Sequence, residues 1–241
     1  MKRLVISGYG KMGKEIERLA ILKNWQIVAR IDNKMQWEEY SEIIKSADAI
    51  IDFSSPEVVL DNIKNAFEKN IPIIIGTTGW NSELENVKIL CEKGNHSLVY
   101  GSNFSIGVNI FFKINSQLAE LMNKHSSYNV IIEEIHHTKK LDSPSGTAIS
   151  LANQIIEKLD RKSTVINESS TDSEKLEIIS KRIGDVPGIH KIVYNSSIDE
   201  IEIMHTAKSR QGFAEGALWA AEWIQSKEGF YNFSDILFNK L

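Results

Sequence analysis

The chain has 241 residues, 42% hydrophobic and 25% charged, with a formal net charge of −4. That length gives one large domain or two small ones with a substantial core, and the scattered Lys and Arg offer no basic patch for nucleic acid or a membrane surface. A single cysteine, Cys91, excludes an intrachain disulfide. No apolar run approaches the roughly 20 residues of a membrane span, and the one after Met1-Lys2-Arg3 stops at Ile6, too short for a signal segment, so a cytoplasmic protein is expected.

Arg3 to Ser7 reads as a buried strand. From Met12 to Lys23, the residues Met12, Ile16, Leu19 and Ala20 share one helical face. Trp25 to Asp32 and Ala49 to Phe53 are the next strands. Ser55 is expected to cap a helix that has Pro56 in first position and Val59, Ile63, Ala66 and Phe67 on its inner side. Ile71 to Ile75 is a strand, Glu83 to Lys93 a helix holding Cys91 as a core thiol, and Ser97 to Tyr100 a strand. This alternation predicts an α/β fold, a Rossmann-type doubly wound parallel sheet.

The pattern changes after Asn103. Ile106 to Lys124 is an amphipathic helix, Asn129 to Ile135 a strand and Thr147 to Leu159 a helix. Asn167 to Ser173 is a serine-rich loop. Strands Leu176 to Ile183, Lys191 to Asn195 and Glu200 to His205 then run together, which predicts a smaller α+β domain with an open mixed sheet. Phe213 to Gln225 is a helix, followed by an aromatic tail, Phe230 to Phe238. The expected domains are 1–103 with 206–241, and 104–205.

Gly8-Tyr9-Gly10-Lys11-Met12-Gly13 fits G-x-G-x-x-G between a strand and a helix, the context that a dinucleotide turn requires. Gly8 permits the turn, Gly10 the approach of a pyrophosphate and Gly13 close helix packing. The helix start then meets the phosphate charge. Asp32 ends the second strand about 20 residues on, where a carboxylate bonds the ribose 2′-hydroxyl. A carboxylate repels a 2′-phosphate, while Arg30 and Lys34 offset that repulsion, so NADH is expected with NADPH also accepted.

The densest chemistry lies from Glu133 to Ala148. A strand delivers His136 and His137 to its carboxyl end. Lys139 and Lys140 follow in a loop, and Ser145-Gly146-Thr147 opens a helix whose N–H groups and hydroxyls suit a carboxylate. Lysine holds a second carboxylate or donates a proton, and histidine does either near neutral pH. Adjacent histidines chelate poorly, and His96, His125, His190 and His205 are dispersed in sequence, so no metal site is expected. Ser145 also reads as a helix cap.

The segment Glu134 to Ala148 resembles the signature of the dihydrodipicolinate reductase family, with Ser143 where that family carries alanine. Further resemblances are Asp52-Phe53-Ser54, Gly76-Thr77-Thr78-Gly79-Trp80, Asn103 to Asn109, Arg182-Ile183-Gly184, Gly188-Ile189-His190 and His205 to Arg210. The Gly101-Ser102 pair departs from the family's usual residues there, and the stretch between Asp32 and Asp52 is short. The resemblance implies NAD(P)H-dependent reduction of a small cyclic dicarboxylate in lysine and diaminopimelate synthesis. It makes His136 the acid/base group and Lys140 the proton donor, with His137, Ser145, Gly146 and Thr147 on the substrate. It places Gly76, Thr77, Thr78, Gly101, Ser102, Asn103 and Phe104 along the nicotinamide and its ribose. It also implies a homotetramer built through the second domain's sheet, and leaves the roles of Arg210 and Lys139 open. Other two-domain nicotinamide enzymes would share the glycine turn but not the His-His to Ser-Gly-Thr segment. A non-enzymatic dinucleotide sensor would need neither Lys140 nor the histidines.

Overall fold

Leu4, Val5, Ile6 and Ser7 are all buried, as in a strand covered on both faces. In the computed structural model, which describes residues 1–238, this strand is β1 (Lys2–Ser7). It is followed by α1 (Lys11–Leu22), β2 (Trp25–Ile31), α2 (Lys34–Glu39), α3 (Ser41–Ile44), β3 (Ala49–Asp52), α4 (Val59–Glu68), β4 (Ile73–Ile75), α5 (Leu84–Lys93) and β5 (Ser97–Tyr100). Next come α6 (Ile106–Met122), β6 (Asn129–His136), α7 (Gly146–Lys158), β7 (Thr164–Ile166), β8 (Lys175–Arg182), β9 (Gly188–Asn195) and β10 (Glu200–Ala207). The last elements are α8 (Gln211–Trp223), β11 (Gly229–Asn232) and α9 (Phe233–Leu237). One compact unit is Met1–Ile106 with the segment from Arg210 onward, and the other is Gly107–Ser209. These boundaries lie a few residues beyond those expected from sequence.

The first unit holds a six-stranded sheet, order β11-β5-β4-β3-β1-β2, with every pair parallel. Alternate residues of each strand feed opposite cores. Leu4, Ile6 and Ile51 pack with α1 and α8, while Val5, Ile50 and Ile73 pack with α4 and α5. The chain leaves β1 for β2 on one side and later fills β3, β4 and β5 on the other. The switch point therefore lies between β1 and β3, where such sheets open a crevice at their carboxyl edge. Cys91 is buried in this core, and burial pushes its thiol up to about 12, which makes it inert.

One local expectation is corrected, and two stretches without an expected element gain structure. Helix α4 starts at Val59 without a side-chain cap, because the Ser55 carbonyl, rather than its hydroxyl, takes the N–H groups of Val58 and Val59. The short stretch after Asp32 folds into α2 and α3, with an Asn33–Gln36 capping box starting α2. The aromatic tail supplies β11 beside β5, then α9.

The second unit holds a five-stranded mixed sheet, order β10-β9-β6-β8-β7, in which β6 runs antiparallel to β9 and parallel to β8. Phe111 and Met122 of α6 and Leu151 and Ile155 of α7 cover one face, against Val130, Ile132, Ile178 and Ile192. On the other face Ile131, Ile135 and Ile179 are half-buried and Met204 is exposed. There Lys191 bridges Glu133 and Glu202 at 3.3 Å each. Residues 167–173 form a loop between β7 and β8, and β7 itself was not foreseen.

Candidate functional sites in the two units

The glycine turn follows β1 directly. Gly8 has φ +83°, and a Cβ there would stand 2.3 Å from the Phe53 carbonyl oxygen. A Cβ at Gly13 would stand 2.3 Å from the Gly8 oxygen, so this glycine lets α1 sit against the turn. Gly10 differs: a Cβ there meets nothing within 4 Å. The packing of the described residues does not require glycine at that position. No side chain caps α1, whose first N–H groups begin at Lys11 and Met12.

Asp32 is exposed at the end of β2, and its Oδ1 accepts the Tyr9 N–H at 2.6 Å. Arg30, expected to offset its charge, is held elsewhere. Its guanidinium bonds Glu17, which also accepts from the Tyr9 hydroxyl, and it packs over the Tyr9 ring at 5.5 Å. The cation that lines the same cleft as Asp32 is Lys34, 3.8 Å from Asp61. This cleft of about 370 Å³ is lined by Gly8, Gly10, Asp32, Lys34, Phe53 and Ser54 among others, and it fits a nucleotide set against the helix start. A larger depression, about 650 Å³, lies at the opposite edge of the sheet around Asn70, Asn95, His96 and Lys227, without a glycine turn.

Beneath the cleft sits a hub that sequence reading treated only as a landmark. Buried Asp52 accepts hydrogen bonds from Ser7 (2.6 Å), Ser54 (2.9 Å), Asn62 (2.8 Å) and Thr77 (2.6 Å). Asn62 in turn accepts from the Trp37 indole at 2.9 Å. A buried carboxylate persists only with such partners, and these tie together β1, β3, α4 and the loop after β4. The Thr77 hydroxyl is thereby engaged, while Thr78 is exposed. A Cβ at Gly76 would stand 2.2 Å from the Phe53 ring, and one at Gly101 2.9 Å from the Phe233 Cβ. Ser102 is exposed and Asn103 accepts the Ser105 N–H at 2.8 Å. Phe104 is 1% exposed between Phe53 and Phe233, so its side chain is core. Gly8, Phe53, Gly76 and Gly101 follow β1, β3, β4 and β5 and thus share the carboxyl edge of the sheet.

In the second unit, Glu134 and His136 sit two residues apart on β6 and both face the covered side. Glu134 is fully buried. Its Oε1 accepts from the Ser145 N–H (3.1 Å), the Ser180 hydroxyl (2.8 Å) and Arg182 (3.1 Å). Its Oε2 lies 3.2 Å from the Ser145 nitrogen, 3.4 Å from His136 Nδ1 and 3.7 Å from His190 Nε2. Arg182 also donates to the Asp142 carbonyl at 2.7 Å, which anchors the loop. Ser145 Oγ caps α7 by accepting the Ala148 N–H and lies 3.1 Å from His190 Nε2. Gly146 is exposed and Thr147 half-buried at the helix start. Lys140 holds both oxygens of Asp142, at 2.8 and 2.7 Å. His137 is half-buried, and its Nδ1 has no hydrogen bond among the described residues.

Burial would raise the Glu134 carboxyl, but bonds from Ser145, Ser180 and Arg182 outweigh it and hold the group below its ordinary value. Burial lowers His136, with Glu134 pulling up and Lys140 and Arg182 pushing down. Burial, aided by His136, takes His190 down to about 4. Both imidazoles are therefore neutral at neutral pH. The lysine beside Asp142 lowers that carboxyl.

His190 is thus not dispersed in space: it pairs with Glu134 across β6 and β9, and its ring meets that of His136 at 5.0 Å. Glu134, His136 and His190 each bring a metal-ligating type of atom within 4.8 Å of the others. Arg182, 3.1 Å from Glu134, supplies a counter-charge to the same carboxylate.

Residues 2–104 match the family model for the dihydrodipicolinate reductase N-terminus, and residues 107–237 match that for its C-terminus. The chain belongs to the dihydrodipicolinate reductase family. It is 43% identical over 235 residues to the 4-hydroxy-tetrahydrodipicolinate reductase of Christiangramia forsetii, covering 97% of each chain. It is 36% identical over 232 residues to that of Rickettsia rickettsii, covering 94% of this chain and 95% of the relative. Among solved structures it is similar to a dipicolinate-bound dihydrodipicolinate reductase from Paenisporosarcina sp. TG-14, with TM-score 0.79 and 25% identity over 98% of this chain and 99% of that one. Of the two clusters, the glycine turn falls in the part matched to the dihydrodipicolinate reductase N-terminus, and the Glu134–Thr147 cluster in the part matched to its C-terminus.

Proposed function

We infer that this chain is an NAD(P)H-dependent 4-hydroxy-tetrahydrodipicolinate reductase, acting on a small cyclic dicarboxylate in lysine and diaminopimelate synthesis. The observation that carries this reading is the segment from His136 to Thr147, held by Glu134 and Arg182 so that imidazoles, an ammonium and a helix start share one end of β6. Dipicolinate, bound by the Paenisporosarcina relative, is such a dicarboxylate.

The nicotinamide cofactor supplies a hydride when bound. Around it, the turn from Gly8 to Gly13 and the start of α1 hold the pyrophosphate, and Asp32 holds the ribose. The backbone at Gly76 to Thr78 and Gly101 to Phe104 lines the remainder. Asp32 favours NADH, and Lys34 in the same cleft lets NADPH be accepted. In the second unit, Ser145, Gly146 and Thr147 bind one substrate carboxylate through helix-start donors. His137 and Lys140 bind the other, with Lys140 exchanging the Asp142 carboxylate for that of the substrate. Preorganised cations stabilise the negative charge that develops on the ring, and Lys140 with His136 holds the proton that completes the reduction. No metal is assigned a role.

The half-buried isoleucines on the open face of the second sheet support a homotetramer formed through that face. Among the described residues no helix is long and apolar enough to cross a membrane, and dependence on the NAD(P)H pool supports a cytoplasmic location. The test is a coupled assay with pyruvate, aspartate semialdehyde and the synthase that condenses them, run with each cofactor. Synthase-dependent oxidation of NADH and, more weakly, of NADPH is expected. No oxidation of either would end this reading.

A further inference from the structure

We propose that Glu134 is the positioning residue that fixes the tautomers of two imidazoles in opposite senses, placing the proton of His136 on Nδ1 and that of His190 on Nε2. This rests on the reading of His136 as the acid/base group. Glu134 Oε1 accepts from Ser180 and Arg182 and shares the Ser145 N–H with Oε2, at 3.1 and 3.2 Å. Oε2 is turned to His136 Nδ1 and His190 Nε2, at 3.4 and 3.7 Å.

His136 Nδ1 is buried and has no hydrogen bond among the described residues. If the proton were on Nε2, the Nδ1 lone pair would face the carboxylate in a buried site, acceptor against acceptor. With the proton on Nδ1 the contact is attractive, and the bond shortens as the site closes on a ligand. The other nitrogen then carries a lone pair available for proton transfer. A Cβ at Gly188 would stand 3.1 Å from His136 Nε2, so the glycine leaves this nitrogen uncrowded on that side.

The same logic on His190 puts its hydrogen on Nε2, toward Ser145 Oγ at 3.1 Å and Glu134. Ser145 Oγ then accepts from both His190 and Ala148. Its own hydrogen turns to Glu134, whose carboxyl it helps to hold down. One buried carboxylate thus sets the acid/base nitrogen of His136 and the donor that His190 offers to Ser145.

Glu134→Gln separates this role from structural support. The Ser180 and Arg182 donors on Oε1 require the amide oxygen there, which also keeps the Ser145 N–H, so the amide NH2 takes the Oε2 position and faces both imidazoles. His136 Nδ1 must then accept, and the tautomers of both rings invert while the packing is retained. The chain has six histidines, few enough for two-bond proton–nitrogen correlation spectra of histidine-labelled protein, recorded at mildly alkaline pH where imidazoles are neutral.

In the unsubstituted protein, His136 is expected to show a protonated Nδ1 with a lone-pair Nε2, and His190 the reverse. In Glu134→Gln both patterns swap. Turnover falls by about 10²-fold or more, as when a carboxylate that orients a catalytic histidine becomes an amide, while the substrate KM changes by less than about threefold. A proton on Nε2 of His136 in the unsubstituted protein, or unchanged spectra or turnover in the variant, overturns the proposal. The spectra of the unsubstituted protein need neither a variant nor a substrate. A failed reductase assay would therefore remove the functional reading without deciding the tautomer.

Discussion

Lys140 and Asp142 show what one residue is asked to do. In the structure the ammonium is held by a carboxylate two residues away, so a substrate carboxylate displaces an existing partner rather than finding a bare charge. Lys140→Ala removes both the second-carboxylate contact and a positioned acid. A fall in turnover of about 10²–10⁴-fold is expected, measured in the coupled assay at saturating substrate, and near-normal turnover would remove Lys140 from the chemistry. Asp32 admits a sharper comparison. Its Oδ1 already accepts from Tyr9, leaving Oδ2 for a ribose hydroxyl. Asp32→Ala should raise the KM for NADH far more than that for NADPH, since the loss of a ribose acceptor is offset for NADPH by the loss of repulsion. Equal changes would end its assignment. His136, Lys140 and Asp32 could be proposed from sequence because the motifs that suggest them are contiguous or regularly spaced. Glu134, His190 and Arg182 could not, because strand register alone brings them together: Glu134 faces His190 across one ladder, and His136 faces Arg182 across another.

At the scale of elements, the turn from β1 to α1 tests whether its glycines serve the fold or a ligand. Gly8 has a positive φ and a backbone oxygen 2.3 Å from where a Cβ would be. Gly8→Ala should therefore destabilise the protein by about 1–3 kcal/mol or more, through strain that has no side-chain escape. Gly10→Ala places its methyl in open space. Its unfolding free energy should stay within about 0.5 kcal/mol of the parent, while dinucleotide affinity, measured calorimetrically, drops. A destabilised Gly10→Ala with unchanged affinity would reverse the roles. Elements with long periodic faces, such as α1 and β3, were legible from sequence. Those missed were short and anchored from outside: α2 buries Trp37, whose indole bonds Asn62, and β11 forms only by pairing with β5. The start of α4 was misplaced because a serine before proline signals a cap equally when its carbonyl, not its hydroxyl, receives the helix N–H groups.

For the whole molecule, the buried polar cluster couples stability to acid. His190 binds its proton only near pH 4 when folded, against 6.5 for an ordinary histidine. Between those values the unfolded chain holds a proton that the folded chain lacks, so stability rises with pH across the window. This contribution is fully present above about 6.5 and is lost as pH falls toward about 4, amounting to roughly 3 kcal/mol. Burial lowers His136 and His205 too, and the bonds holding Glu134 down act in the same direction, so all four groups steepen the acid side. Urea unfolding at a series of pH values between 7.5 and 4 should show this loss. His190→Gln keeps an N–H donor for Ser145 without a titrating group, so it should be less stable than the parent at neutral pH but lose less of that stability on acidification. Parallel curves for parent and variant would mean that the buried neutral imidazole is not what makes the fold acid-sensitive.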